Sequence, residues 1–274
     1  DVGTNAEIVL GNRERLFATS SPTGPAFEGA QLSSGQRATI GAIEHVRIDA
    51  DTLEPRVKVI GIDAWSDDLG FAEQSEGITV TGICGSGVIE VLAELFLAGV
   101  ILRDGTIDGA ASARSPRVVA DDRTFAYVLF SGAGGEIRIT QNDVRAIQLA
   151  KAALNAGVRL LMDHAAITRF DTVRLAGAFG NHIDPAYALT IGLIPPCDPA
   201  IARNVGNAAG SGAVRALLSQ AARHEIALVA RQIVKIETAI EPGFQAHFVR
   251  AMGFPDSDDA APRRSGRSNR REAS

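Results

Sequence analysis

The sequence predicts an α/β domain in which a mixed sheet is flanked by helices. Three observations predict it. Short runs alternating apolar and polar residues recur between longer runs with helical spacing, glycine-rich turns stand where strands end, and the stretch from Thr140 to Leu161 carries one continuous apolar stripe. At 274 residues and 46% hydrophobic, the chain has enough apolar material for a sizeable core, which excludes a wholly disordered protein. No apolar run approaches the ~20 residues of a membrane-spanning helix, so no membrane association is expected. A net charge of −5 gives no general attraction to nucleic acid, so none is expected as a partner. The two cysteines, Cys84 and Cys197, lie far apart, which argues against a disulfide framework. An iron–sulfur cluster normally takes about four thiolates, more than this chain holds.

Taken in order, Glu7–Leu10 and Arg15–Thr19 read as strands of a hairpin around Gly11–Asn12–Arg13. The run Gly24–Gly29 (GPAFEG) is a glycine-bounded turn able to open a helix. Ala42–Asp49 and Arg56–Ile62 alternate as a second strand pair, turned near Glu54–Pro55, and Trp65–Gly77 is an acidic surface loop or short helix. Ile78–Val80 is expected as a strand, Gly82–Gly87 (GICGSG) as a tight loop, and Val88–Leu97 as a helix stopped at Gly99. Val118–Ala120, Phe125–Phe130 and Glu136–Ile139 are further strands. Thr140 and Asp143 form a capping box that starts the clearest helix. Val144, Ile147, Leu154, Val158 and Leu161 make its apolar stripe, and Ala150, Ala153 and Gly157 a small-residue face that admits a close neighbour. Thr172–Ala176 reads as a buried strand ending in Gly177–Asn181 (GAFGN). Helices follow at Pro185–Leu189, Asn207–Leu218 and Ala221–Gln232, then a strand at Ile233–Ala239 and a helix at Phe244–Met252. Beyond Pro255 the large apolar residues stop. The expected division is a domain over 1–255 and a disordered tail over 256–274.

Chemistry concentrates at the glycine-rich turns. In DVGTN, Gly3 permits close approach of a ligand to the main chain, and Thr4 and Asn5 offer donors to a phosphate. Asp1 can hold Mg²⁺ through its waters. GICGSG precedes a helix, whose start suits an anion, but the same glycines also serve close strand–helix packing. Its spacing reverses the dinucleotide fingerprint, so a Rossmann dehydrogenase is a fallback that would need Gly82–Gly87 to hold pyrophosphate. Cys84 has no His or basic partner nearby in sequence and reads as an inert small residue. In LAGAFGN, Gly177 and Gly180 would let a ring or ribose lie against the backbone. The five histidines show no metal-ligand spacing.

DVGTNAEIVLGN, GPAFEGA, GICGSGVIE, QNDVRAIQLAKAAL, LAGAFGNHID, IGLIP and VGNAAGSGA, in this order, resemble the C-terminal domain of the reductive activators of corrinoid proteins. The likeness runs from Asp1 to about Pro255. It implies an actin-like (ribonuclease H-like) ATPase lobe, related to acetate and sugar kinases, heat-shock chaperones and actin. It also implies that the chain, which opens inside a motif, is the second lobe of a longer protein with an upstream [2Fe–2S] ferredoxin domain. ATP and Mg²⁺ would bind between two lobes, and the whole protein would reduce a corrinoid from Co(II) to Co(I). On the resemblance, Asp1, Gly3, Thr4 and Asn5 carry over as phosphate and Mg²⁺ contacts, with Asp1 catalytic. Gly24 and Glu28 flank the helix start beside the nucleotide, and Gly177, Ala178, Phe179 and Gly180 form the adenosine motif. The sequence departs from the family at Gln36, where Met is expected, and at Ser21–Pro22–Thr23, where small Ala-rich residues are expected.

The implied partners are a corrinoid protein of a methyltransferase system and a low-potential electron donor. The implied compartment is the cytoplasm, and a homodimer is left open. The chain alone is expected to bind ATP poorly and to be inactive. Other readings stay open at this point: a small-molecule kinase or dehydratase activator of the same superfamily, or a non-catalytic partner-binding lobe.

Overall fold

The chain opens with an antiparallel hairpin of β1 (Asn5–Gly11) and β2 (Leu16–Pro22), with Asn5 opposite Pro22 and Gly11 opposite Leu16. The expected turn closes it: Asn12 Oδ1 accepts from the N–H groups of Glu14 and Arg15 at 2.8 and 3.0 Å. This computed structural model describes residues 1–177 and 180–255. Ala178 and Phe179 of the GAFGN turn, and the expected tail, lie outside the described residues.

After a 3-10 turn over Pro25–Glu28, β3 (Ala42–Ile48) and β4 (Pro55–Val59) make a second hairpin. A single helical turn, α1 (Phe71–Gln74), interrupts the acidic loop. Strand β5 (Gly82–Ile83) then pairs in parallel with β3, and α2 (Gly85–Leu97) packs on that sheet. Strands β6 (Val118–Asp121), β7 (Thr124–Gly132) and β8 (Gly135–Thr140) form an antiparallel meander. Helix α3 (Gln141–Ala165) starts from the expected capping box at Thr140 and Asp143. Strand β9 (Val173–Leu175) is followed by α4 (Pro185–Thr190), then by β10 (Ala202–Asn204), which pairs in parallel with β9. Helices α5 (Ala208–Leu218) and α6 (Gln220–Gln232), strand β11 (Val234–Lys235) and α7 (Pro242–Met252) complete the described chain. The sheet orders are β1-β2-β11, β10-β9, β4-β3-β5 and β6-β7-β8, a mixed arrangement with helices against it. Among the described residues, no helix is long and apolar enough to cross a membrane.

Helix α3 joins the parts. Its small-residue face meets the first hairpin: a Cβ on Gly157 would sit 2.5 Å from Ser21 Oγ and 2.6 Å from Ile8 Cδ1. The opposite contact is with α7. There Lys151, fully buried, donates from Nζ to the carbonyls of Ala251 and Gly253 at 2.6 and 2.7 Å, capping the end of α7. Burial pulls its pKa down to about 7.

Several expected elements shift. Ile78–Val80 is not a strand, and pairing with β3 falls instead on Gly82–Ile83. GICGSG is therefore split between a strand and the first turn of α2 rather than forming a loop. Backbones crowd two of its glycines: a Cβ on Gly82 would meet Ser34 O at 2.7 Å, and one on Gly87 would meet Ile43 O at 2.6 Å. Gly85, Ser86 and Gly87 are buried, so this helix start is a packing surface, as the alternative reading held. Cys84, at the helix N-cap, is buried and places Sγ 3.3 Å from Ser86 Oγ, in line with an inert role. The strand at Ile233–Ala239 contracts to Val234–Lys235. The strand at Thr172–Ala176 contracts to Val173–Leu175, and only Leu175 of it is buried, because β9 is an edge with Arg174 exposed.

Candidate functional site

Three segments distant in sequence meet at one point. Val2 N–H donates to Ala176 C=O at 3.0 Å, which docks DVGTN against the strand that leads into GAFGN. Gly177 follows at φ 108°, and a Cβ there would lie 2.5 Å from Asp1 Oδ1 and 3.1 Å from Val2 O. Only glycine combines that dihedral with that proximity. A Cβ on Gly180 would stand 3.7 Å from Val2 Cβ, so both described glycines of the turn face DVGTN.

The GPAFEG segment closes the other side. Gly24 N–H donates to Thr4 C=O at 2.9 Å, and Thr4 Oγ1 donates to Glu28 Oε1 at 2.7 Å. Gly24 sits at φ 70° with nothing within 4 Å of its missing Cβ, so the glycine serves the backbone turn and leaves open space beside Thr4. The structure thus gathers Asp1, Gly3, Thr4, Asn5, Gly24, Glu28, Gly177 and Gly180. Asp1, Thr4, Asn5 and Glu28 are exposed, while Gly177 and Gly180 are buried behind them. The hydroxyl proton of Thr4 is committed to Glu28 here.

Sequence reasoning missed two contributors. Thr23, buried, donates from Oγ1 to Gly3 O at 2.6 Å and lies 3.0 Å from Thr4 O. It therefore helps tie down the carbonyls of DVGTN, alongside the Gly24 N–H that also donates to Thr4 C=O. Its only sequence signal was negative, a polar residue where small apolar ones were expected. The second is the start of α5: Gly177 N–H donates to Gly206 C=O at 3.1 Å, and Asn207 caps that helix by accepting from Gly210 N–H at 2.7 Å. The block VGNAAGSGA had no assigned role, yet it forms the wall behind Gly177. The other departure, Gln36, fills space over Gly82: its N–H donates to Ile83 C=O at 2.9 Å and its Oε1 accepts from Thr81 Oγ1 at 2.8 Å.

The family model described as the C-terminal domain of RACo, the ASKHA domain, matches residues 1–264. The chain belongs to this family. An ASKHA domain is actin-like and nucleotide-binding, which agrees with glycine-rich turns converging from separate strands. The corrinoid activation enzyme RamQ of Eubacterium limosum is 37% identical over 268 residues, covering 94% of this chain and 42% of that protein. The Co(II) methylated amine-specific corrinoid protein reductase of Methanosarcina barkeri is 28% identical over 204 residues, covering 71% of this chain and 34% of that protein. A solved structure titled reductive activator for corrinoid, iron-sulfur protein superposes with a TM-score of 0.79 at 36% identity, covering 93% of this chain and 39% of that one. The chain spans less than half the length of each of these proteins.

Proposed function

We propose that this ASKHA domain is the ATP-binding lobe of a corrinoid reductive activator. The single observation that carries the reading is the meeting of DVGTN with Ala176–Gly177 beside the open space at Gly24, in a chain whose relatives are named for corrinoid activation. ATP fits this arrangement. Gly3, Thr4 and Asn5 face the phosphates with backbone and side-chain donors, and Gly177 and Gly180 belong to the wall against which the adenosine would rest, with Ala178 and Phe179 completing that motif from the sequence.

Mg²⁺ fits the donor set as well. Among the described residues no group of three or more His, Cys, Asp or Glu could cage a metal ion. Mg²⁺ suits a site of that kind, because it keeps much of its water shell and leans on one or two carboxylates and on substrate phosphates. Asp1, assisted by Glu28 across Thr4, would hold it through water. When bound, the ion neutralises charge on the phosphates. Asp1 then orients the attacking water and takes up its proton at the carboxylate, and the Thr4–Glu28 bond holds the turn in register. An iron–sulfur cluster does not fit this chain, whose two cysteines are one buried and one half-buried. In this reading an upstream ferredoxin domain would hold the cluster and would supply the electron that reduces a corrinoid protein in the cytoplasm from Co(II) to Co(I). Nucleotide turnover supplies the bias for that uphill step.

The test is Asp1→Ala in the gene product that carries these residues. ATP hydrolysis and ATP-dependent formation of the Co(I) absorption band should both fall at least about 100-fold, with the iron–sulfur spectrum unchanged. Unaltered turnover would remove Asp1 from the site.

A further inference from the structure

The turn read above as the phosphate site is built with an opposition of charge. Its donors to an anion, backbone N–H groups and the Asn5 side chain, are neutral. Two exposed carboxylates, Asp1 and Glu28, stand beside them. Among the described residues, no Lys, Arg or His side chain is ion-paired with either carboxylate. A bare polyphosphate brought to this turn therefore meets like charge, which water screens only in part.

Glu28 is held at that place from both ends. Its backbone closes the 3-10 turn Pro25–Glu28, in which Ala26 and Phe27 are buried. Gly29 follows at φ 81°, its N–H donating to Ala26 C=O at 3.1 Å. A Cβ on Gly29 would meet Gln36 O at 2.6 Å and Gln36 N at 2.8 Å, so neighbouring backbone stops this segment from shifting. At the other end the Thr4 hydroxyl donates to Glu28 Oε1 at 2.7 Å. The same oxygen lies 4.0 Å from the position of a Cβ on Gly3, so the charge rests against the turn itself. The hydrogen bond alone does not call for a charge, because a glutamine carbonyl would accept it as well. What the carboxylate adds is a negative field at the site.

We infer that Glu28 makes the site selective for nucleotide carrying a divalent cation over free nucleotide, with Thr4 fixing the carboxylate in place. The inference rests on the nucleotide reading above and adds to it the form of nucleotide accepted. A divalent cation cancels about two of the charges on a triphosphate and brings bound waters to which a carboxylate can bond. Glu28 then attracts the form that carries the cation and repels the form that lacks it. A residue that merely shaped the turn would act on both forms alike.

The test measures affinity, not turnover, on the gene product that carries these residues. The probe is the β,γ-imido analogue of ATP, titrated once with EDTA and once with excess Mg²⁺. Glu28→Gln keeps the acceptor for Thr4 and removes the charge. It should bind the free analogue about three- to tenfold more tightly than wild type, and the Mg²⁺-loaded analogue about three- to tenfold more weakly. Glu14, exposed at the far end of the β1–β2 hairpin, supplies the control. Glu14→Gln makes the same change in net charge and should leave the ratio of the two affinities within about twofold of wild type. A ratio unchanged in Glu28→Gln, shifts of the same sign and size in both forms, or an equal fall of the ratio in Glu14→Gln would each overturn the inference alone. Binding by wild type in neither condition would overturn the nucleotide reading, and the inference with it.

Discussion

Replacing Gly177 by alanine isolates the contact on which the site depends. The backbone cost comes from φ 108°, a region that L-residues avoid at about 1–3 kcal/mol. For a domain of this size that lowers Tm by roughly 2–12 °C. The steric cost is separate. The new methyl would stand 2.5 Å from Asp1 Oδ1, 3.1 Å from Val2 O and 3.3 Å from Val2 N, so the Asp1 carboxylate must swing away and the turn must yield. Gly135→Ala is the matched control. Gly135 sits at φ 100° in the β7–β8 hairpin with nothing within 4 Å of its missing Cβ, so it carries the same dihedral penalty and no collision. By differential scanning fluorimetry Gly135→Ala should lose the Tm of the dihedral penalty alone, and Gly177→Ala at least as much. Only Gly177→Ala should lose ATP hydrolysis as well, by about 10-fold or more, because a displaced carboxylate no longer orients water. If hydrolysis in Gly177→Ala stays within twofold of Gly135→Ala, the idea that Gly177 exists to admit Asp1 is wrong.

Two further outcomes follow from named hydrogen bonds. Thr23→Val should raise the KM for ATP several-fold and cost about 1 kcal/mol of stability, with Thr23→Ser restoring both. An unchanged KM in the valine variant would show that this hydroxyl does not order the phosphate turn. On the far side of the domain, Glu90 is buried and accepts from His45 Nδ1 at 2.9 Å, Val46 N–H at 2.8 Å and Arg47 Nη1. The hydrogen bond to Glu90 raises the pKa of His45 above 6.5, against burial. Its stabilising contribution is complete below about pH 6.5 and is lost as pH rises through the higher folded value. Glu90→Gln should cost about 1–3 kcal/mol and flatten the fall in Tm between pH 6 and 8.5, and a slope that persists in the variant would assign it to another group.

What the sequence made legible was what local rules dictate. The Thr140–Asp143 capping box, the Asn12 turn and the small face of α3 each rest on residues a few positions apart, and the structure places them as read. Long-range crowding was not legible. The sequence left GICGSG open between an anion-binding loop and close packing, because spacing cannot reveal that Ser34 O and Ile43 O stand where the Cβ atoms of Gly82 and Gly87 would be. Thr23 shows the same limit from the other direction: its role depends on two carbonyls 19 and 20 positions away in the chain, brought to it by the β1–β2 hairpin. The glycines at Gly3, Gly24 and Gly177, read from the sequence as one group, lie close together in the structure, yet each is a glycine for a different physical reason. Gly177 is needed for space and dihedral together, Gly24 for dihedral alone, and Gly3 has no neighbour closer than 3.5 Å. A ligand resting on this site would therefore meet a fixed wall at Gly177 and open backbone at Gly3 and Gly24. Substitutions at Gly177 should act through the protein's own carboxylate, whereas those at Gly3 and Gly24 should act by intruding on whatever binds there.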